Sequence, residues 1–296
     1  MGVPTDFQLL AERDHLRRLA EEKMVRRSAA PLGVYVFSSD DPGADLARAV
    51  EAEVFLDAFG NTREQLAAEY SPYDGRTVFL CVIDHLRHAP AAAMRIIVPT
   101  PDGRLCKTLD DMARFWRMPL AETTIRNGEP FDYSTAWDVA TLAVAKDYQG
   151  RATAGMVSIA LYEAGVRGMR ESGFEYSVAI LDRKAYRFAH WVFKEAWYPF
   201  DRADAIPYLG SPASLPVWFQ PSEWGPRLQV REPRLYEMIF ESRGYEGAID
   251  LAPEGRLSAL ADEIRAGDRR KGGVIDLREE LTIDLRERDD SERPRG

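Results

Sequence analysis

The chain has 296 residues, 45% of them apolar, and a net charge of −9. That length and composition support a sizeable core in one large or two small domains. The acidic balance argues against nucleic-acid binding by the surface as a whole, because phosphate neutralisation needs a basic face; a local basic patch for an anionic cofactor remains compatible with it.

Residues 6–28 are charged and Leu/Ala-rich, and Leu9, Leu10, Leu16 and Leu19 give them one apolar stripe, which predicts a helix. "PLGVYVFSS" predicts a strand. "DPGADLARAVEAEVFLDAF" predicts a helix announced by its Asp/Pro/Gly cluster, and "NTREQLAAEY" a second one capped by Asn61 or Thr62. "TVFLCVID" and "AAAMRIIVP" predict two strands joined as a hairpin. A short helix at "LDDMARFW", a strand at "DVATLAVA" and a helix ending near Gly173 follow. Next come a strand at "FEYSVAILD", an aromatic-rich helix over "RKAYRFAHWVFKEAW", a late strand at "LPVWF" and a helix at "REPRLYEMIFESRG". From about residue 283 the chain is charge-dense with little apolar material, and disorder is expected there.

This order predicts an α/β (α+β) class with one mixed, mostly antiparallel sheet flanked by helices, not the strict alternation of a doubly wound fold. The expected organisation is an N-terminal helical segment over 1–33, a sheet-bearing core over 34–205, a C-terminal part of the fold and extension over 206–282, and a charged tail over 283–296. The two cysteines, Cys81 and Cys106, have neither disulfide-framework nor zinc spacing, which fits a reducing, cytoplasmic compartment. No stretch approaches the roughly 20 apolar residues of a membrane span, and the N-terminus has no apolar run of the signal-peptide kind.

Several stretches bear on chemistry. In "VAKDYQGRATAG" a strand turns into a helix through small residues. A helix start offers unpaired N–H groups and a positive dipole end, where phosphates bind. The same corner also reads as a plain turn in which Gly150 supplies an unusual backbone angle. It is neither a dinucleotide fingerprint nor a P-loop. Arg95 inside the apolar strand "AMRIIV" calls for a partner, and Asp74 and Asp138 are the candidates; an edge position facing water is the alternative. Asp84, His85 and His88 in the hairpin turn fall short of a four-ligand site, so no metal is expected. Cys81 reads as core. "RKAYR" at 183–187 reads as a solvated helix face or as a basic patch for a 3′-phosphate or an acidic carrier protein.

"QGRATA" after a strand ending "LAV" resembles the acyl-CoA-binding loop of the GNAT acetyltransferase superfamily, Q/R-x-x-G-x-G/A, with Gln149 and Ala154 fitting and Ala152 where Gly is usual. Upstream, "EAEVFLDAFG…EYSPYDGRTVFLCVID…AAMRIIVPT…WDVATLAVAKDYQGRA" is similar to the acyl-homoserine-lactone (autoinducer) synthases and N-acyl amino acid synthases. Phe55, Glu69, Tyr73, Asp74, Arg95, Pro99, Thr100 and Trp137 follow their motifs in order, and Asp138 stands for a family Glu. Glu51 sits where the first Arg is expected, Ser71 replaces an Asp, and Ala140 and Thr141 replace Ser-Arg. Those departures fall on the end that handles the S-adenosylmethionine-derived amine.

The resemblance covers about 34–200 and implies a GNAT-like core. It also implies acyl transfer from acetyl-CoA or a longer acyl-CoA, or from an acyl-carrier protein, to an amine of a small-molecule acceptor. A true lactone synthase and a catalytically silent binding module are the alternatives. It places the donor on Leu142, Ala143, Val144, Gln149, Gly150, Arg151, Ala152, Thr153 and Ala154. It makes Asp138 the candidate base, with Glu69 and Asp74 on a cationic acceptor and Arg95, Phe115 and Trp137 lining the substrate site. A helix ending at "FKEAWY" puts Phe193 where a Tyr often protonates the departing thiolate; Tyr186, His190 or Tyr198 is then the replacement. Dense aromatics from Phe188 to Phe200 imply core packing with room for an acyl chain longer than acetyl.

Overall fold

The computed structural model describes residues 6–100, 106–126 and 128–271, with only the backbone at 6–11, 151–154 and 268–271. By its contacts the chain divides into Met1–Arg265 and Ala266–Gly296, and of the second unit only 266–271, the end of a helix, are described. The charged tail from 283 lies outside the described residues.

The chain opens with α1 (Asp6–Lys23), β1 (Leu32–Ser38), α2 (Ala44–Phe59) and α3 (Arg63–Tyr70). The start of α3 is fixed by a capping box: the Thr62 hydroxyl accepts from the Gln65 N–H, and the Gln65 side chain accepts from the Thr62 N–H. A 3₁₀ turn (Ser71–Arg76) leads into the hairpin β2 (Thr77–Asp84) and β3 (Ala89–Ile97), and α4 (Lys107–Phe115) follows. A two-residue pair, β4 (Thr124–Ile125) and β5 (Glu129–Pro130), precedes β6 (Ala136–Val144) and the long α5 (Arg151–Glu171). Then come β7 (Tyr176–Asp182), α6 (Arg183–Val192), β8 (Trp197–Pro199), β9 (Ile206–Tyr208) and β10 (Ser211–Phe219). The described part closes with α7 (Pro221–Arg231), α8 (Pro233–Glu241), β11 (Ile249–Asp250) and α9 (Arg256–Lys271).

The main sheet runs β11-β1-β2-β3-β6-β7-β10-β8, with β9 on β10. Its pairs are antiparallel except β1/β11 and β6/β7. This is the mixed, mostly antiparallel sheet expected from the element order. β2 is buried along its whole length, as its unbroken apolar run requires. Cys81 is core, fully buried.

The elements differ from the expectation where sequence signals conflict. The aromatic helix stops at Val192, because Lys194 and Glu195 both take positive φ (49° and 65°), so Trp197 and Tyr198 lie in a strand. The sequence reading names no element between the late strand and the helix at "REPRLYEMIFESRG", yet α7 forms there: Pro221 sits at the helix start, where its missing N–H costs nothing, and buried Trp224 and Leu228 hold it down. Two-residue β11 is too short to carry an alternation.

Gly210 lies at φ 83°, and a Cβ there would sit 2.5 Å from the carbonyl oxygen of Phe59 at the end of α2. We expect Gly210→Ala to cost at least about 1–2 kcal/mol from the left-handed backbone alone, read as a lower urea midpoint at unchanged slope.

Candidate active site

Strand β6 changes neighbours along its length. It pairs with β7 only over Ala136–Asp138, opposite Tyr176–Val178. Beyond that point β7 stays with β10 up to Asp182, while β6 stays with β3 up to Val144. The two parallel strands therefore part, and among the described residues the β7-facing backbone groups of 139–144 have no strand partner. A bulge contributes: Ile96 pairs with Val139 and Arg95 with Thr141, so Ala140 is extra. Because Ile97 and Arg95 share a face of β3, their partners Asp138 and Thr141 share a face of β6.

In the parted stretch Leu142 is exposed, Ala143 buried and Val144 half-buried. The Val144 carbonyl accepts from Gln149 Nε2 at 2.9 Å, which folds the corner back on the strand end. Gly150 caps α5 at φ −59°, an ordinary backbone angle, and a Cβ there would meet nothing within 4 Å. The turn reading of Gly150 as a residue with an unusual angle is thus corrected. It makes no side-chain cap, so the cap residue leaves the first N–H groups of α5 without a side-chain acceptor. The side chains of Arg151, Ala152, Thr153 and Ala154 lie outside the described residues.

On the face of Thr141, α1, α2, α3 and β3 enclose a cavity of about 410 Å³. Its floor is a buried ion pair: Arg95 Nε donates to Glu51 Oε1 at 3.0 Å and Arg95 Nη2 to Glu51 Oε2 at 2.5 Å. Thr141 Oγ1 donates to the same Glu51. Arg95 lies 4.1 Å from the Tyr70 ring centre and 4.7 Å from that of Phe79. Burial opposes its charge, but Glu51 outweighs burial and holds the arginine pKa above its ordinary value. Of the expected partners of Arg95, Asp74 forms an ion pair at 4.0 Å, Asp138 is taken up by Thr108 instead, and the close partner is Glu51, which the sequence reading did not name. Asp74 is 49% exposed at the side chain and also lies 4.0 Å from Arg48. Glu12 with Arg63 and Asp45 with Arg48 complete a lining of paired opposite charges, with His15 among them.

A second polar group lies around the start of α4. Lys107 Nζ donates to Glu69 at 2.6 Å, Asp111 at 2.5 Å and Tyr208 at 3.0 Å. Desolvation opposes the lysine charge, yet Tyr70, Asp111 and Glu69 raise its pKa above the usual range. Asp138 is fully buried and accepts from the Thr108 N–H (2.6 Å) and hydroxyl (2.7 Å), with Cys106 Sγ at 3.5 Å. It thus caps α4 from another strand, since Cys106 at the helix start makes no cap. Desolvation pushes Asp138 up to about 6 against those hydrogen bonds, and desolvation likewise pushes up Asp110, which accepts from Tyr73 at 2.8 Å, to about 6.

The other expected site residues are scattered. Trp137 is fully buried on β6; Phe115 ends α4, 40% exposed, against Tyr208. Tyr186 is half-buried on α6, its pKa raised first by burial. Phe193 is core, stacked on Tyr162 at 3.8 Å. His85 is bound to Ala30 O and Tyr35 Oη, and His88 to Glu21. Of the dense aromatics, Phe188 and Trp191 face outward, 52% and 71% exposed. The residues missed from sequence are Glu51, Thr141, Tyr70 and Lys107. Glu51 carried a signal, an acid in line with Ala44 and Ala47 on the apolar face of α2.

No family model matches the sequence, and no curated protein matches it. Among solved structures, the chain is similar to a CoA-dependent acyl-homoserine lactone synthase, BjaI, with SAM and isopentyl-CoA: 13% identity, 79% of this chain and 98% of that one covered, TM-score 0.46. It is also similar to FeeM, an N-acyl amino acid synthase from uncultured soil microbes (14%, 68% and 96%, TM-score 0.46). A third is a spermidine N-acetyltransferase from Vibrio cholerae in complex with CoA and spermine (7%, 64% and 97%, TM-score 0.40).

Two measurements check the site's electrostatics. Removing Glu51 alone strands a buried guanidinium, so Glu51→Ala should cost about 3–5 kcal/mol, while Glu51→Met with Arg95→Met should cost far less than the sum of the single changes. Because burial raises the Asp110 pKa above its unfolded value, the folded chain binds more protons between about pH 4 and 6. The carboxyl's contribution to stability therefore falls as pH rises through that window. Urea melts should show Asp110→Asn gaining on the wild type from pH 4 to pH 7; a loss over that range would contradict the assignment.

Proposed function

We propose that the protein is an acyltransferase that moves an acyl group from acyl-CoA to an amine of a small-molecule acceptor. The observation that carries this reading is the parting of β6 and β7 after Asp138 and Val178, with α5 starting just past the end of β6 and a charged cavity on the neighbouring face. The motif resemblance points the same way. The reading needs little covalent chemistry from the chain. A thioester lies along β6, the unpaired backbone N–H groups of 139–144 polarise its carbonyl, and the pyrophosphate rests at the start of α5 with Gln149, Gly150, Arg151, Ala152, Thr153 and Ala154. The acceptor approaches from the cavity, so that positioning supplies much of the rate.

In this scheme Asp74, half-exposed at the cavity, pairs with the acceptor's ammonium and accepts the proton that the amine loses as its nitrogen attacks the thioester carbonyl and the C–S bond breaks, and Arg95, fixed by Glu51, sets the floor on which it rests. Glu69 and Lys107 orient Tyr70 and α4 beside it. Asp138, enclosed under α4, holds that helix in place rather than meeting the substrate. Tyr186 is the hydroxyl assigned to the departing thiolate. The basic residues Arg183, Lys184 and Arg187 at the start of α6 suit a 3′-phosphate or the acidic face of an acyl-carrier protein. A second reading, a protein that binds acyl-CoA without turnover, is favoured by the core position of Phe193 and the enclosure of Asp138.

Thermal unfolding with CoA and with acetyl-, hexanoyl- and palmitoyl-CoA tests the donor site. A ligand at 100 times its Kd should stabilise the fold by about 2.7 kcal/mol. Thiol release in the presence of an amine panel then separates the two readings: binding with release supports transfer, binding without release supports the silent module, and no shift with any thioester contradicts both.

A further inference from the structure

Helix α6 is apolar on two sides. Its inner side packs Tyr186, Ala189 and Val192 on the core. At about 100° per residue, the opposite side carries Lys184, Arg187, Phe188 and Trp191. Phe188 is 52% exposed and Trp191 71%, and among the described residues no other helix exposes two large apolar side chains. Standing three residues apart, the two rings are neighbours on the helix surface. Arg183, Lys184 and Arg187 are exposed too, and among the described residues none of the three has an ion pair.

The acids around this face are already engaged. Asp182 accepts from the Lys184 N–H at 2.7 Å, which caps α6, and from the Ser211 hydroxyl at 2.6 Å. Glu195 pairs with Arg231 at 3.4 Å, and Glu232 with Lys194 at 3.3 Å. Lys194 Nζ also stands 5.8 Å from the centre of the Trp191 ring. The face is therefore basic, on a chain whose net charge is −9.

A basic cluster alone suits any anion. Two exposed aromatic rings set into it suit an anionic lipid surface. The rings leave water for the boundary between headgroups and acyl chains, the depth at which Trp settles, while Arg and Lys keep their charged heads at the lipid phosphates. At ten residues α6 is far short of the roughly 20 that span a bilayer, so the contact is one made in the plane of the surface. We propose that the outward face of α6 docks the protein on an anionic phospholipid surface, with Phe188 and Trp191 in the headgroup boundary and Arg183, Lys184 and Arg187 on the phosphates. The proposal stands whether or not the acyl-CoA reading holds.

The test is cosedimentation of the full chain with vesicles of phosphatidylcholine alone and of phosphatidylcholine with about 30 mol% phosphatidylglycerol. Binding should rise about tenfold or more with the anionic lipid and fall as added salt screens it. Phe188→Ser with Trp191→Ser should weaken binding to the anionic vesicles about tenfold or more. Reversing the charges with Arg183→Glu, Lys184→Glu and Arg187→Glu should abolish it. All five side chains are exposed, and circular dichroism checks the fold of each variant. The wild-type comparison of the two vesicles stands as a test even where a variant does not fold. No binding to the anionic vesicles overturns the proposal, and so does binding that survives the aromatic change in a folded variant. Without vesicle binding, a dimer lost on the aromatic change gives the face to a second copy of this chain, and capture of an acidic acyl-carrier protein gives it to that partner; either overturns the lipid assignment.

Discussion

The acyl-transfer reading of this chain depends on one constraint: β6 and β7 lie side by side for three residues and then follow different partners. β6 is drawn along β3 by antiparallel pairing that tolerates one bulge, and β7 is drawn along β10 by pairing from Ser177 to Asp182. A continuous sheet would leave no backbone groups to offer. The parting exposes them on an otherwise buried strand, between two helices that begin where the strands end. The bulge at Ala140 has a further effect. It returns Thr141 to the face of Asp138, so that its hydroxyl reaches Glu51 rather than the other side of the sheet.

The polar groups under α2, α3 and α4 are held by pairing, not by exposure. Glu51 and Arg95 are 3% and 5% exposed at the side chain, and isolated charges in that setting are far too costly to keep. Each is tolerable because the other is there, with Thr141 and the Tyr70 and Phe79 rings around them. The Lys107 group follows the same logic with more acid than base, and the excess is absorbed by carboxyls that resist ionisation. The result is a cavity whose walls already balance their charges, leaving Asp74, the half-exposed acid, as the group with capacity to spare.

Much of this fold is legible in the residues. Unbroken apolar runs mark β2 and β3, the Thr62/Gln65 pair marks the start of α3, and the strand-to-helix corner at Gln149 and Gly150 is visible as a change of period. What is hidden depends on contacts distant in sequence. Nothing near Asp138 says that it will cap α4, because the cap comes from the fold and not from the position before the helix. The close partner of Arg95 is hidden because Glu51 lies 44 residues away on a helix face that reads as apolar. The early stop of α6 is set by two residues with positive φ that no breaker announces. The strand and the corner are therefore legible as elements, whereas the polar groups assembled from three helices are not.

The central claim is that a thioester donor lies in the gap beside β6 with its phosphates at the start of α5. Amide hydrogen exchange with and without hexanoyl-CoA tests it directly. The account predicts ligand-dependent protection at 139–144 and at the first amides of α5, with little change along β1 and β2. Protection confined to other segments, or none at any hexanoyl-CoA concentration, would contradict it.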